Sequence, residues 1–518
     1  MHKDEADAPR APFRRLLIAN RGEIAVRVMR ACRELGIETV AVYSDADADA
    51  LHTRVADRAE RIGPAPAAES YLSIDAVIAA ARRSRADAIH PGYGFLSENA
   101  SFARAVEEAG LVFIGPPPAT LASLGDKLAA RRAVAAAGVP IVPGLLIPLV
   151  VDARGAMPTA DLAAVGFPGL VKAAAGGGGR GMRRVDRLDQ LGAVLESAGR
   201  EALAAFGDGT LYFERLIAPA RHVEVQLLGD RHGNLAFLGE RECSVQRRHQ
   251  KLVEEAPSPA VTPRLREQLA EDARRVAGTV AFHNAATVEF LLDADGNHYF
   301  LEMNTRLQVE HGVTELVTGL DLVAWQIRVA AGERLPPAVL ATRARGHAIE
   351  ARIYAEDPHR GFTPVAGSVT AWSMPAGPGV RVDAGVGAAT SLPVEYDPLL
   401  AKLLVHADDR QAALARLRRA LDETIVGGVQ TDLSFLRWLV DEPGFRAGSY
   451  DTGLVDELWA GGPDLTGEER SMAARAALEA RVGVEARRPA GGQPAISAGR
   501  GGWALRARSE AVNRRRSR

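Results

Sequence analysis

Lysine is nearly missing from this chain. Of 63 basic residues only five are lysines: Lys3, Lys127, Lys172, Lys251 and Lys402. A sequence that uses guanidinium almost everywhere keeps an ammonium where a compact, point-like charge is required. The four internal lysines are therefore candidates for ligand contacts, and Lys3 is set aside as part of the leading tail. Cysteine is equally scarce. Cys32 and Cys243, far apart, exclude a disulfide framework and a thiolate zinc site, and suggest a reducing cytoplasm. No run of about 18 apolar residues is present, which excludes a membrane-spanning helix. The leading segment carries Asp4, Glu5 and Asp7 and lacks an apolar stretch, so it reads as neither a secretory signal nor a transit peptide. A formal net charge of -2 lacks the basic excess that nucleic-acid binding uses. What remains is an ordinary globular composition, 47% hydrophobic and 25% charged over 518 residues, enough for three or four domains.

Strand and helix patterns alternate through the first hundred or so residues. An apolar strand at 15–19 leads through Asn20-Arg-Gly22 into a periodic helix over 23–35, and a second strand follows at 39–43. Helix over 70–83 and strands at 88–90 and 112–114 complete the unit, which implies a parallel sheet covered on both faces. Asn20-Arg-Gly22 is not a dinucleotide fingerprint. From 224 to 310 strands dominate. Helices are expected over 321–331 and 410–421, with alternating apolar and polar residues over 346–405. Beyond about 460 the pattern dissolves, and from Ala480 ten arginines face two acidic residues, which reads as a mobile basic tail.

Three constellations carry chemistry. Lys172 closes an apolar strand and is followed by Gly176-Gly-Gly-Gly-Arg-Gly181. Consecutive glycines let backbone N–H groups converge on a phosphate, and the order of lysine and loop is not that of a Walker A motif. Next, an apolar strand over 286–292 carries Glu289 and turns at Asp293-Ala-Asp-Gly-Asn297. The return strand ends in Glu302, so antiparallel pairing places Glu289 opposite Glu302 to within about a residue of register. Two such carboxylates need a cation between them, and hard oxygen ligands suit Mg²⁺ or Mn²⁺ held with phosphates. From there Glu302, Asn304, Arg306, Gln308 and Glu310 alternate with Met303, Thr305, Leu307, Val309 and His311. An extended chain would line one face with the polar five. Arg306 then holds a small anion bidentately and Glu310 takes a proton from it. Third, Gln246-Arg-Arg-His-Gln-Lys251 is a basic run in which the rare Lys251 points to an anion site.

Long motifs now accumulate: Leu17-Ile-Ala-Asn-Arg-Gly-Glu-Ile24, His90-Pro-Gly-Tyr-Gly-Phe-Leu-Ser-Glu-Asn99, Arg241-Glu-Cys-Ser-Val-Gln-Arg-Arg-His-Gln-Lys251 and Glu302-Met-Asn-Thr-Arg-Leu-Gln-Val-Glu-His311. With them the chain resembles biotin carboxylase, an ATP-grasp enzyme, over about 13–455. The resemblance implies an α/β and α+β fold: a Rossmann-like pre-ATP-grasp domain at 12–126, an ATP-grasp domain at 127–335 with a lid at about 144–216, and a β-rich C-terminal domain at 345–455. The basic tail at 460–518 follows. It also implies roles. Lys127 and Lys172 meet ATP phosphates under a mobile loop containing Gly178 and Gly179. Glu214, Arg215, Leu216 and Ile217 hold the adenine end, with His222, Gln246 and His249 further along the nucleotide. Glu289, Glu302 and Asn304 hold two Mg²⁺ or Mn²⁺ ions, the two glutamates also counting as ATP contacts. Lys251, Arg306, Gln308 and Val309 form a bicarbonate pocket, Glu310 is the general base, and Arg352 stabilises the biotin enolate.

The implied reaction runs through carboxyphosphate to carboxylation of biotin on a carrier protein, the first half-reaction of an acyl-CoA carboxylase. Lys402 is expected to border the biotin approach or to hold a structural carboxylate. No lysine follows Lys402, so biotin is expected on a separate carrier chain, with a carboxyltransferase subunit and a homodimeric assembly, unless the basic tail marks a truncated or frame-disrupted end. Alternatives are the corresponding part of a pyruvate carboxylase-type enzyme, another ATP-grasp ligase, and a non-catalytic scaffold subunit. Departures from the family pattern are Ala175 in the glycine run, Arg215 for a usual lysine, and Gly312 for a usual proline.

Overall fold

The computed structural model describes residues 11–149, 162, 164–174 and 182–459, without the side chains of 205 and 206. The first unit is a parallel five-stranded sheet made of β1 (Arg15–Ile18), β2 (Glu38–Ser44), β3 (Arg58–Gly63), β4 (Ala88–His90) and β5 (Val112–Phe113). The strands run in the order β3-β2-β1-β4-β5. β1 is buried along its whole length, as expected of an apolar strand with helices on both faces. Helix Gly22–Glu34 buries Ile24, Val28 and Cys32, and ends before Gly36, whose φ of 72° reverses the chain into β2. The helix expected over 70–83 is shorter. It begins at Ile74, where Ser73 caps it through a hydrogen bond from the Ala76 N–H.

A small antiparallel sheet follows, of β6 (Gly169–Ala173), β7 (Arg183–Val185) and β8 (Leu211–Arg215), ordered β7-β6-β8. The glycine run between β6 and β7, with Ala175, Gly178 and Gly179, lies outside the described residues, as does the tail from 460.

The dominant element is an antiparallel eight-stranded sheet. It contains β9 (Ala220–Gly229), β10 (Leu235–Arg247), β11 (Gln250–Ala256), β12 (Asn284–Asp293), β13 (His298–Asn304), β14 (His347–Tyr354) and the strands Leu399–Ala407 and Val380–Ala384. Their order is β13-β12-β9-β10-β11-β14, then Leu399–Ala407, then Val380–Ala384. The segments expected as separate middle and C-terminal units therefore share one sheet. β11 pairs with β14 through Glu254 opposite Glu350 and Val253 opposite Ala351. The stretch expected to be strand-dominated also contains a 15-residue helix, Pro263–Ala277, started by Thr262 and Pro263. Thr262 Oγ1 accepts from the Leu265 N–H at 3.2 Å, and the Thr-Pro pair is a legible start signal that alternation had masked.

Candidate active site

Register builds the site. Pairing across β13, β12, β9 and β10 sets Glu302, Glu289, Glu224 and Arg241 side by side on four adjacent strands. The expected pairing of Glu289 with Glu302 is direct. Three neighbouring carboxylates on adjacent strands repel unless cations lie among them, and the fold brings those cations from elsewhere. Arg241, fully buried, donates from Nε to Glu224 at 2.5 Å and is held by Gln226, Thr314 and Thr287. Lys251, on β11, donates at once to Glu224 (2.7 Å), Glu289 (3.1 Å) and Glu310 (2.6 Å). His222 Nε2 lies 3.0 Å from the second Glu289 oxygen.

The segment 302–311 does not form the continuous strand that its alternation suggests. β13 ends at Asn304, residues 305–310 turn, and helix His311–Thr318 begins. The reason is local: Thr305 N–H is captured by Glu98 at 3.2 Å, and His311 Nδ1 is 2.8 Å from the Gln308 carbonyl, so the ladder cannot continue. The polar five converge on one point instead of lining a face. Asn304 Nδ2 reaches Glu289 (3.0 Å) and Glu302 (3.2 Å), and Gln308 Nε2 reaches Glu289 (3.1 Å). Arg306 is held by Glu98 (3.0 Å) and Gln308 (2.6 Å), and lies 3.3 Å from Asn304 Oδ1.

Glu310 is the pivot. One oxygen accepts from Lys251 at 2.6 Å and the other from Arg352 at 2.8 Å. Burial pushes its carboxyl up, but Lys251, Arg352 and Arg241 outweigh burial and hold it well below the usual carboxylate range. Lys251 is likewise held well above its ordinary value: burial lowers it, and the surrounding anionic groups reverse that. Arg352 also pairs with Glu254, whose carboxyl burial raises to about 7.

The remaining expected residues form a second group. Lys172, buried on β6, pairs with Glu214 on β8, which Arg131 also approaches at 3.0 Å. The Glu214 carboxylate is thus taken up internally by two cations, and the chain runs on from β8 into 215–217. There the Arg215 and Leu216 N–H groups are anchored to Pro143 and Pro168 carbonyls. Lys127 connects the groups by standing 3.4 Å from Glu302. Gln246 is buried opposite Lys251, while His249 is exposed at the tip of the β10–β11 hairpin. That tip has Arg248 at φ 47° and His249 at φ 68°, two non-glycine residues in the left-handed region where Asn-Gly is usual. Gly312 packs tightly: a Cβ there would meet Leu404 Cδ2 at 2.3 Å.

Sequence reading missed Glu224, Arg241, Glu98 and Glu254. His222, Glu224 and Gln226 alternate within an otherwise apolar strand, and that period of two was the available signal. The Glu289 and Glu302 carboxylates, hard oxygen donors on adjacent strands, fit Mg²⁺ or Mn²⁺, while Asn304 turns its Nδ2 toward both and its Oδ1 toward Arg306.

Comparison with known proteins decides the family. Residues 12–121 match the profile "Biotin carboxylase, N-terminal domain", 126–338 "Carbamoyl-phosphate synthase L chain, ATP binding domain", and 350–457 "Biotin carboxylase C-terminal domain". The chain is 48% identical to the biotin carboxylase of Halalkalibacterium halodurans, covering 86% of this chain and 97% of that one. The chain belongs to the biotin carboxylase family. It is accordingly a ligase that forms a C–N bond. A second relative, subunit alpha of the mitochondrial methylcrotonoyl-CoA carboxylase of Oryza sativa, is 49% identical over 85% of this chain, which spans 60% of that subunit. Among solved structures, the biotin carboxylase domain dimer of Hydrogenobacter thermophilus 2-oxoglutarate carboxylase, in complex with MgADP, ADP and bicarbonate, superposes with a TM-score of 0.82. It is 44% identical, over 86% of this chain and 97% of that one. No helix among the described residues is long and apolar enough to cross a membrane.

Proposed function

We propose that the chain activates bicarbonate with MgATP to give carboxyphosphate, and then carboxylates biotin carried on a biotin carboxyl carrier protein. The observation that carries this reading is the Glu310 carboxylate, clamped between Lys251 and Arg352. A base that touches both cations stands between the place where bicarbonate is deprotonated and the place where biotin reacts. Bicarbonate, arriving as an anion, competes with Glu224, Glu289 and Glu310 for Lys251 and draws on Arg306. As Lys251 turns toward it, Glu310 loses the neighbour that holds its proton affinity down and becomes a better base. Val309 and Gln308 frame the same pocket. Divalent cations on Glu289, Glu302 and Asn304 would draw charge from the transferring phosphoryl group. Lys127 and Lys172 supply positive charge to the phosphates, and 214–217 with His222, Gln246 and His249 seat the nucleoside. Arg352, freed from Glu310 and Glu254, would stabilise the enolate of biotin.

The assembly we infer is a homodimer working with a biotin carboxyl carrier protein and a carboxyltransferase in the cytoplasm, where the two buried thiols, Cys32 and Cys243, stay reduced. An acyl-CoA is the proposed final acceptor. ADP release is the test, measured with MgATP and bicarbonate, with and without free biotin, beside Arg352→Ala. Biotin-stimulated release that Arg352→Ala abolishes is expected. Release indifferent to biotin would point to a different ATP-grasp ligase, and no release to a scaffold.

The hairpin tip gives a second expectation. Arg248→Asn with His249→Gly supplies the residues such a turn ordinarily uses and should stabilise the fold by about 1 kcal/mol in urea. KM for MgATP should rise in the same variant, because His249 is lost from the nucleotide. A stabilised variant with unchanged KM would remove His249 from the nucleotide site.

A further inference from the structure

Lys402 is the internal lysine with no part in the chemistry above. It is fully buried, so it does not border an approach path. Its ammonium donates to the Val309 carbonyl at 2.7 Å and lies 3.1 Å from Glu23 Oε1. Glu23, in turn, accepts from the Tyr93 hydroxyl in the loop 91–94. On its own sheet Lys402 stands directly opposite Arg352 on one side and Asp383 on the other. One ammonium thus joins three remote places: the first helix of the N-terminal unit, the turn that carries Arg306, Gln308 and Glu310, and the strand beside Arg352.

That turn needs such a tether. Residues 305–310 lie outside strand and helix, yet they present the side chains that must meet bicarbonate within a fraction of an ångström. A charge-assisted hydrogen bond to a main-chain carbonyl, shielded from water, fixes a backbone better than a neutral one. A carbonyl bonded this way also polarises its own peptide, strengthening the N–H of Glu310 as a donor. An arginine cannot take the same place, since its planar fork is longer and wider than an ammonium in a closed cavity.

We propose that Lys402 is a positioning residue: it sets the Val309–Glu310 peptide, and through Glu23 it locks that turn to the Tyr93 loop. This rests on the bicarbonate reading of the site. The experiment compares wild type with Lys402→Met, Lys402→Arg and Glu23→Gln, each checked by thermal melt, in bicarbonate-dependent ADP release with free biotin present. Both Lys402 variants are expected to raise KM for bicarbonate about tenfold while kcat falls less and KM for MgATP stays within about twofold. Glu23→Gln, which loosens the same tether from the helix side, should raise KM for bicarbonate too, by less than either Lys402 variant. If Lys402→Met fails to fold, Lys402→Arg and Glu23→Gln decide. An active wild type whose folded variants keep the wild-type KM for bicarbonate overturns this inference alone. A wild type without bicarbonate-dependent release overturns the functional reading and this inference together.

Discussion

Lys251→Met is expected to lower kcat/KM for bicarbonate by about 10³ and to destabilise the fold by about 3 kcal/mol. The ammonium touches Glu224, Glu289 and Glu310 within 3.1 Å, and its side chain is only 12% exposed. Removing it leaves the three carboxylates with Arg241 on Glu224, His222 on Glu289 and Arg352 on Glu310 as their nearest compensation, and takes the first cation from any anion entering the pocket. Lys251→Arg keeps the charge but spreads it over a plane, so it cannot sit at the centre of three converging oxygens. It should recover most of the stability and little of the activity. The two losses are separable by urea denaturation and by steady-state ADP release at varied bicarbonate. A Lys251→Met enzyme with near wild-type kcat/KM would remove Lys251 from the bicarbonate site.

Glu255→Gln is expected to cost about 3 kcal/mol of stability at pH 7 with little effect on KM for MgATP. Glu255 is buried on β11, next to the site's Glu254, but it does structural work. It accepts from Arg410 through two bonds of 2.7 and 3.0 Å, from His347 at 2.5 Å and from the Tyr450 hydroxyl at 2.5 Å. These contacts tie the helix Arg410–Glu423 and the chain near 450 to the large sheet. Burial pushes the Glu255 carboxyl up, but hydrogen bonds from His347 and Arg410 outweigh it and bring it down to about 2. A carboxyl lower in the folded than in the unfolded chain stabilises above its unfolded value of about 4.5, and that stabilisation fades as pH falls toward 2. Wild type and variant should therefore differ most at neutral pH, and the gap should shrink as pH falls from about 4.5 toward about 2. A gap that stays constant from pH 7 to pH 3 would mean that the effect is packing and not charge.

Much of the site was legible one strand at a time. The scarcity of lysine singled out Lys127, Lys172, Lys251 and Lys402, each of which lies against a carboxylate in the structure. The turn at 293–297 set the pairing of the hairpin to within one residue, and a register shift between Glu289 and Phe290 then brings Glu289 directly opposite Glu302. The misreading of 302–311 has an equally physical origin. Period-two alternation survives when a chain turns, but the ladder that would make it a strand depends on partners such as Glu98, some two hundred residues away. The helix Pro263–Ala277 was hidden by flanking strands, although its Thr-Pro start was present.

The sequence by itself determined the local units: which residues alternate, where hairpins turn, and which rare side chains are available. Only the tertiary structure decided that β11 and β14 join two segments in one sheet, and that Lys251, Arg241 and Arg352 stand among the acids of β9, β12 and the turn after β13. Within a hairpin, hydrogen-bonded register is set to within a residue by neighbours along the chain. The charge state of a buried carboxylate is fixed by distance through space in a medium of low dielectric, and no spacing in the sequence encodes that distance.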